Sequence, residues 1–272
     1  MSGLWPLTVR ELKKWIRNPT FFFTGLIQPI FWIALFGSAF DITKFFAGPE
    51  GNAAARAILD GAPNYITYIV GGVLTTMGLF TAMFAGTQII FDRRLGPMGR
   101  FLSSPIRRSS IVFSKIISSV IRILPQSLIL VIAAYLIPNG LKFQHGFTIV
   151  DALIVATAII LVAFIFSSIF SVIATRMTNM QSIFGIVNLV NLPLMFVSYA
   201  MFSRQMMANW IGNIAEYNPV SWSAEAIRTV IINGNLTASQ WKLEGEWLGA
   251  LAVLAAALLL LTAYLVEKEI RD

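Results

Sequence analysis

Long apolar stretches separated by short polar segments run through most of the chain. A helix needs about 20 residues to cross the roughly 30 Å hydrocarbon layer of a bilayer. Six apolar stretches have about that length, at residues 21–40, 65–90, 112–137, 149–175, 182–202 and 247–266. We therefore predict an all-α, polytopic membrane protein in which six transmembrane helices form one domain over residues 1–272.

The segment before the first span has a different, two-faced pattern. Trp5 and Trp15 fall on one helical face with other apolar residues, whereas Lys13 and Lys14 fall on the opposite face. A helix of this kind lies in the plane of the membrane interface, so we predict an N-terminal interfacial amphipathic helix over residues 4–17. A cleaved signal peptide is the alternative, but the first apolar run is longer than a typical signal core.

The composition supports a membrane protein, and the charges orient it. Hydrophobic residues make up 57% of the chain and charged residues 12%, and the mean hydropathy of +0.74 excludes an ordinary globular surface. The positive-inside bias explains the net charge of +7, so we expect no nucleic-acid partner. Thirteen lysines and arginines lie on the side of the two termini and six on the opposite side. We therefore expect a multi-pass plasma-membrane protein with both termini in the cytoplasm.

The loop between the second and third spans, residues 91–110, is rich in arginine. Leu95, Met98, Phe101 and Leu102 recur there at a helical spacing, and arginines surround this apolar strip. An anionic lipid surface would attract the arginines without any need for the strip. The strip therefore favours docking of a partner protein, with lipid contact as the alternative.

This order of elements resembles the permease subunits of type-2 ABC exporters, which include bacterial drug-resistance and Nod-factor export permeases. The resemblance covers essentially the whole chain. In the arginine-rich loop it is carried by Asp92, Arg94, Gly96, Leu102, Pro105, Arg107 and the following Lys115. A second similarity is Asn218 followed by Pro219, ahead of Arg228 and the last span.

The resemblance implies that the arginine-rich loop is a coupling helix seated in a cleft of a separate ATP-binding subunit. The residues expected at this contact are Asp92, Arg93, Arg94, Leu95, Gly96, Arg100, Phe101, Leu102, Pro105 and Arg107. The family usually has glutamate at Asp92, and Pro97 with Gly99 interrupts the loop, so we expect a shorter docking element.

The resemblance also implies an assembly of two permease copies, expected to be identical, with two ATPase subunits. The chain contains no G-x-x-x-x-G-K-[ST] motif with which to bind nucleotide phosphates. We therefore expect ATP and Mg²⁺ on the ATPase subunits, and neither a cofactor nor an enzymatic activity on this chain.

Three polar residues within the spans are candidates for a substrate path. Arg122 is costly inside a bilayer, and it either extends to the headgroups, attracts an anionic substrate or holds a neighbouring span. Asn188 and Asn191 are three residues apart in the fifth span, followed by Pro193. Their amides either line the path or form hydrogen bonds between helices.

The outward-facing loop, residues 203–246, is longer than a simple connection requires. Two pieces of it have helical apolar spacing, with Trp210 and Trp222 as interface anchors. We predict short re-entrant helices before the last span, with Pro219, Trp222 and Arg228 at an outer gate. Amphipathic segments that lie on the surface without a gating role are the alternative.

The sequence gives no basis for a catalytic or metal site. It has no cysteine, and His145 is its single histidine. Its acidic residues cluster at span ends and in loops, which counts against a proton-driven carrier. Together with these absences, the family resemblance implies a permease subunit that exports a small amphipathic substrate, such as a drug, lipid or glycan, from the cytoplasm, driven by ATP. The alternatives are a carrier or channel that needs no ATP, and a membrane assembly factor.

Overall fold

In the computed structural model, the described residues are 3–39, 49–94, 107–144, 146–177, 179–234 and 236–269. Every regular element in these ranges is helical, so the all-α prediction is confirmed. A single 3₁₀ turn covers Arg204–Met206. The α-helices are α1 (Leu4–Arg17), α2 (Pro19–Ala39), α3 (Pro49–Ile58), α4 (Tyr65–Arg94), α5 (Arg108–Leu136), α6 (Ile149–Arg176), α7 (Met180–Phe196), α8 (Asn209–Ala215), α9 (Pro219–Asn233) and α10 (Ala238–Glu269).

Four of the described helices are long and apolar enough to cross a bilayer, namely α4, α5, α6 and α10. The remaining two predicted spans correspond to α2 and α7, whose apolar stretches are shorter, at Gly25–Gly37 and Gln181–Phe196. Many large apolar side chains of α5 and α10 point outward, as helices in contact with lipid require. A membrane protein with four candidate spans is therefore supported, and the count of six stays a prediction.

The helix ends differ from the predicted span ends where capping decides them. Helix α10 begins at Ala238, so the last nine residues of the predicted 203–246 loop are helical. The main-chain N–H of Gln240 donates to the Thr237 hydroxyl, and the Gln240 side chain accepts from the Thr237 N–H, which caps this helix. Hydropathy misses this turn because its residues are polar.

Helices α4 and α6 form the centre of the bundle. Small residues along α4 allow this close packing: a Cβ at Gly86 would collide with the main-chain carbonyl of Phe170 in α6. A Cβ at Gly71 would lie 3.0 Å from the carbonyl oxygen of Ala224 in α9. The α4 backbone therefore touches α6 near one end and α9 near the other.

The bundle has two ends that carry different charged groups. We call the end with Glu11 of α1 and Asp92 of α4 the α1 end, and the end with Tyr68 of α4 and Arg228 of α9 the α9 end. Helix α1 has the predicted bounds, and it packs against α5. Helix α9 is largely buried against α4, α6 and α10.

Candidate functional site

An ion cluster of five side chains lies at the α1 end: Glu11, Arg10 and Lys14 of α1, Asp92 of α4 and Lys115 of α5. Lys115 is at its centre, with Nζ 2.5 Å from Asp92 Oδ2 and 3.7 Å from Glu11 Oε1. The Lys115 side chain is 1% exposed and that of Glu11 is 3% exposed. A buried charge is tolerated only when it is paired, so these contacts tie three helices together.

The two α1 cations complete the ion cluster from its outer side. Arg10 hydrogen-bonds to Glu11, and its Nη2 lies 3.4 Å from Asp92 Oδ2. Lys14 Nζ lies 3.4 Å from Glu11 Oε1 and 3.7 Å from Asp92 Oδ1. Burial by itself would raise the pKa of Glu11, but Lys115, Arg10 and Lys14 outweigh it and hold that pKa below its ordinary value. Glu11 is therefore ionised at neutral pH.

Sequence reasoning missed Glu11 and assigned Asp92 only to the contact with a partner. Glu11 is the one acidic residue of α1, and a carboxylate on an otherwise basic helix was the available signal. Its partners lie far away along the chain, so no local pattern could identify them. In the structure Asp92 is buried and bonded to Lys115 within the same chain.

Most of the residues predicted to form the coupling contact lie outside the described residues. Arg93 and Arg94 form the last residues of α4, and Arg107 is exposed just before α5. Leu95, Gly96, Arg100, Phe101, Leu102 and Pro105 lie outside the described residues. The ion cluster thus includes one residue near the end of α4 and one residue two turns into α5, the two helices that flank the 95–106 segment.

Arg122 links α5 to α1. Its side chain is buried at 6% exposure, and Nη2 donates to the main-chain oxygen of Glu11 at 3.0 Å and to Ser118 Oγ at 3.4 Å. These contacts of Nη2 support a role for Arg122 in holding a neighbouring element, here α1. The Arg122 Nε has no hydrogen-bond partner among the described residues.

A cavity of about 670 Å³ lies beside the ion cluster, between α1, α2, α4, α5 and α7. Its lining includes the polar side chains of Arg122, Gln126 and Gln88 and the aromatic side chains of Phe91 and Phe184. This volume is in the usual range for a site that binds a small amphipathic molecule. Glu11 and Asp92 belong both to the ion cluster and to the lining, so a shift of the cluster would reshape the cavity.

The two span asparagines lie elsewhere. Asn191 is buried and its Nδ2 donates to the sulfur of Met83 in α4, which is a contact between helices. Asn188 is exposed. Neither is among the described residues that line the cavity. The structure therefore does not bring Arg122, Asn188 and Asn191 to one site.

An arginine anchor holds α9 at the opposite end; we use this name for Arg228 with Glu225, Tyr68 and Tyr199. The Arg228 guanidinium lies 3.7 Å above the Tyr68 ring and is paired with Glu225. Its Nε donates to the Tyr68 carbonyl at 3.3 Å, and Nη2 donates to the Tyr199 carbonyl at 2.6 Å. Arg228 is fully buried by these contacts. They fix α9 to the start of α4 and to the segment after α7.

Asn218 and Pro219 start α9 and join it to α7. The Asn218 side chain accepts from the N–H of Val220, and Pro219 occupies the first helical position. The Asn218 Nδ2 donates to the carbonyls of Leu194 and Val197 at 3.0 and 2.7 Å, which explains why α7 ends near residue 196.

Comparison with known proteins gives the family of the chain. A family profile described as ABC-2 type transporter matches residues 3–232. The chain belongs to the ABC-2 type transporter family. The matched region contains the ion cluster, the lining of the cavity and all but the last residue of α9.

Individual relatives of this ABC-2 permease agree with that family. The transport permease ycf38 of Porphyra purpurea is 27% identical over 265 residues, covering 96% of this chain and 85% of the relative. The protein of the same name in Cyanophora paradoxa is 26% identical, with coverages of 84% and 73%. A daunorubicin resistance ABC transporter permease of Streptomyces coeruleorubidus is 23% identical, with coverages of 85% and 74%. The predicted resemblance to ABC-2 permeases is confirmed.

The predicted outer-gate residues of this permease all lie on α9. Pro219 is its first residue, Trp222 Nε1 donates to the Glu216 carbonyl at 2.7 Å, and Arg228 forms the arginine anchor. The sequence indicated these three residues, but it gave no sign of Tyr68 as the partner of Arg228. The re-entrant position of α8 and α9 in a bilayer stays a prediction.

Proposed function

We propose that this ABC-2 permease is the membrane subunit of an exporter driven by a separate ATPase. In this proposal six helices, including α2 and α7, cross the plasma membrane, and both termini lie in the cytoplasm. Two identical permease copies work with two ATPase subunits, which hold ATP and Mg²⁺. The substrate is a small amphipathic molecule that leaves the cytoplasm.

The ion cluster carries the proposal, because it joins the two helices that flank the 95–106 segment. Asp92 is two residues from the end of α4, and Lys115 lies two turns into α5. Their 2.5 Å contact, with Glu11 beside it, makes the flanks of the segment and α1 one mechanical unit. A push on the segment would therefore move three helices together and would not be absorbed locally.

The cavity supports transport as the result of that movement. Glu11 and Asp92 form part of its lining, so displacement of the ion cluster changes the shape of the space beside it. A bistable change of this kind is what alternating exposure of a substrate site requires. The excess of lysine and arginine on the α1 side supports its cytoplasmic orientation.

The proposal is tested by reconstitution with the cognate ATPase in vesicles. Leu102→Ala combined with Arg100→Ala should reduce transport at least tenfold while the protein still inserts, because it weakens docking of the coupling loop. The matched control is Arg56→Ala on α3, an exposed arginine for which we expect unchanged transport. Transport by the purified permease in the absence of any ATPase would support a carrier or channel instead.

Orientation has a separate test, because the chain lacks cysteine. A single cysteine at Ser104 should be labelled by a membrane-impermeant maleimide only after the membrane is opened. A single cysteine at Gln144, in the exposed loop before α6, should be labelled in intact cells. The reverse pattern would contradict the proposed topology.

A further inference from the structure

Three polar side chains that line the cavity at the α1 end each have a buried atom with no hydrogen-bond partner among the described residues. The Arg122 Nε and the Oε1 atoms of Gln88 and Gln126 are buried, and none has a partner among the described residues. Arg122 and Gln126 are one turn apart on α5, and Gln88 faces the same cavity from α4. Buried polar groups are rarely left unpaired, so these atoms indicate a ligand.

The charge of these side chains indicates the sign of that ligand. The two carboxylates that line the cavity, Glu11 and Asp92, are already paired with Lys115, Arg10 and Lys14. No ion pair joins Arg122 to a carboxylate within the described ranges; its hydrogen bonds go to a carbonyl and a hydroxyl. The charge of the Glu11 carboxylate acts on Arg122 without forming an ion pair with it. A buried guanidinium that no carboxylate contacts directly favours an anion at Nε.

The two glutamine oxygens indicate what lies next to the anion. An amide oxygen accepts hydrogen bonds, so Gln88 and Gln126 require donors from the ligand. Hydroxyl groups beside a phosphate or carboxylate supply such donors. A simple anion without hydroxyls would leave both amide oxygens unpaired.

Aromatic side chains also line the cavity, and they suit the other half of an amphiphile. Phe91 and Phe184 line the cavity from α4 and α7, and Trp15 lines it from α1. Such aromatic side chains bury a hydrocarbon chain through the hydrophobic effect. A cavity lined by both a buried cation and aromatic side chains therefore suits a molecule that has both an anionic and an apolar part.

We propose that this cavity binds an amphiphile whose phosphate or carboxylate is flanked by hydroxyl groups, with the anion on Arg122, the hydroxyls on Gln126 and Gln88, and the tail along Phe91 and Phe184. This proposal rests on the proposed function, because it names the class of substrate that the transporter would carry. A phosphoglycerol lipid of the membrane and a hydroxylated anionic cargo share this chemistry.

Binding is tested on the purified permease alone, in detergent and without an ATPase. The probe is dihexanoyl phosphatidylglycerol, and the matched control lipid is dihexanoyl phosphatidylcholine, which has the same tails and no net charge. At 100 times its Kd the phosphatidylglycerol should raise the Tm by about 5 °C. The phosphatidylcholine should raise it by less than a third of that. Equal shifts with both lipids would overturn the proposal.

Variants distinguish the contribution of the anion to binding from that of the hydroxyl groups. Arg122→Gln should abolish the preference for phosphatidylglycerol, whereas Arg204→Gln at the other end should leave it unchanged. Because Arg122 also holds α1, a second variant is needed in case the first fails to fold. Gln126→Leu with Gln88→Leu removes no hydrogen bond made through either Oε1. It should reduce the phosphatidylglycerol shift to that given by dihexanoyl phosphatidic acid, and an unchanged shift would contradict the role of the amides.

Reconstitution with the ATPase distinguishes the two ligand sources and the two proposals. ATP-dependent movement of a fluorescent phosphatidylglycerol would make the ligand cargo, and binding without movement would make it a resident lipid; both support the site. Absent binding, with ATP-driven transport of another amphiphile intact, would overturn the binding site alone. Selective binding together with transport that needs no ATPase would overturn the proposed function alone.

Discussion

The two charged clusters of the permease differ in what their cations hold. The ion cluster has three cations, and each of them lies within 4 Å of both Glu11 and Asp92. The arginine anchor has one cation, Arg228, which holds two main-chain carbonyls, one carboxylate and one aromatic ring.

We infer from this difference that the α1 end rearranges more readily than the α9 end. Side chains that share several partners can exchange them with little loss, and those of Arg10 and Lys14 are 33% and 51% exposed. A main-chain carbonyl moves only with its own segment of backbone, so the Arg228 contacts hold α9, α4 and the segment after α7 in one arrangement. We infer that movement starts at the α1 end and that the α9 end resists it.

The largest effect is expected from removing the arginine anchor. Arg228→Ala leaves Glu225 and two carbonyls without their partner, and breaking a buried pair in this way costs about 3–5 kcal/mol. Denaturant titration in detergent micelles should report that loss in the free energy of unfolding. Arg228→Lys should recover only part of it, because an ammonium lacks the planar fork that reaches both carbonyls. Arg204→Ala, also at the α9 end but less buried, is the control.

A smaller effect is expected at the centre of the ion cluster. Lys115→Ala leaves Arg10 and Lys14 within reach of both carboxylates, so we expect a loss of about 1.5–3 kcal/mol, the range for a hydrogen bond to a charged group. A double-mutant cycle with Asp92→Ala should show coupling between the two residues. A loss as large as that of Arg228→Ala would contradict the contrast between the two ends.

The capping role of Asn218 should give an effect of about 1–2 kcal/mol. Asn218→Ala removes an N-cap and two hydrogen bonds to α7, whereas Asn218→Asp keeps the cap and loses only the two bonds. The aspartate variant should therefore be intermediate in thermal unfolding. If both variants equal the wild type, α7 is not held by Asn218.

The smallest effect is the acid dependence of the ion cluster. The pKa of folded Glu11 lies below the ordinary value of 4.5, so the unfolded chain binds more protons there as the pH falls. Its contribution to stability is complete above about pH 4.5 and is lost as the pH falls through the folded pKa. Unfolding of Glu11→Gln should depend less on pH below 4.5 than that of the wild type. Identical profiles would show that Glu11 is not held ionised.

Several elements could be predicted because their signals are local. The apolar runs at 65–90, 112–137 and 149–175 correspond to α4, α5 and α6, and the two-faced pattern of residues 4–17 corresponds to α1. Hydropathy and periodicity are properties of neighbouring residues, so they can be read from the sequence without knowledge of the fold. The ends of α7 and α10 could not be placed in this way, because side-chain caps set them.

The candidate site was only partly accessible from the sequence. Arg122 was noticed because a charge inside a span is costly, and Arg228 because its spacing after Asn218 and Pro219 resembles the family, but the roles of both depend on partners. The carbonyl of Glu11 is 111 residues from Arg122, and the Tyr68 carbonyl is 160 residues from Arg228. Composition and local spacing cannot predict contacts between residues so far apart in the sequence.

The sequence by itself determined the class of the molecule, its helical pattern and the family to which it belongs. The tertiary structure alone decided that Glu11, Asp92 and Lys115 meet, that Arg122 turns toward α1, and that a cavity with unpaired polar atoms lies beside them. The physical reason is range: apolar burial selects helices from adjacent residues, whereas the pairing of buried charges depends on which helices pack against each other.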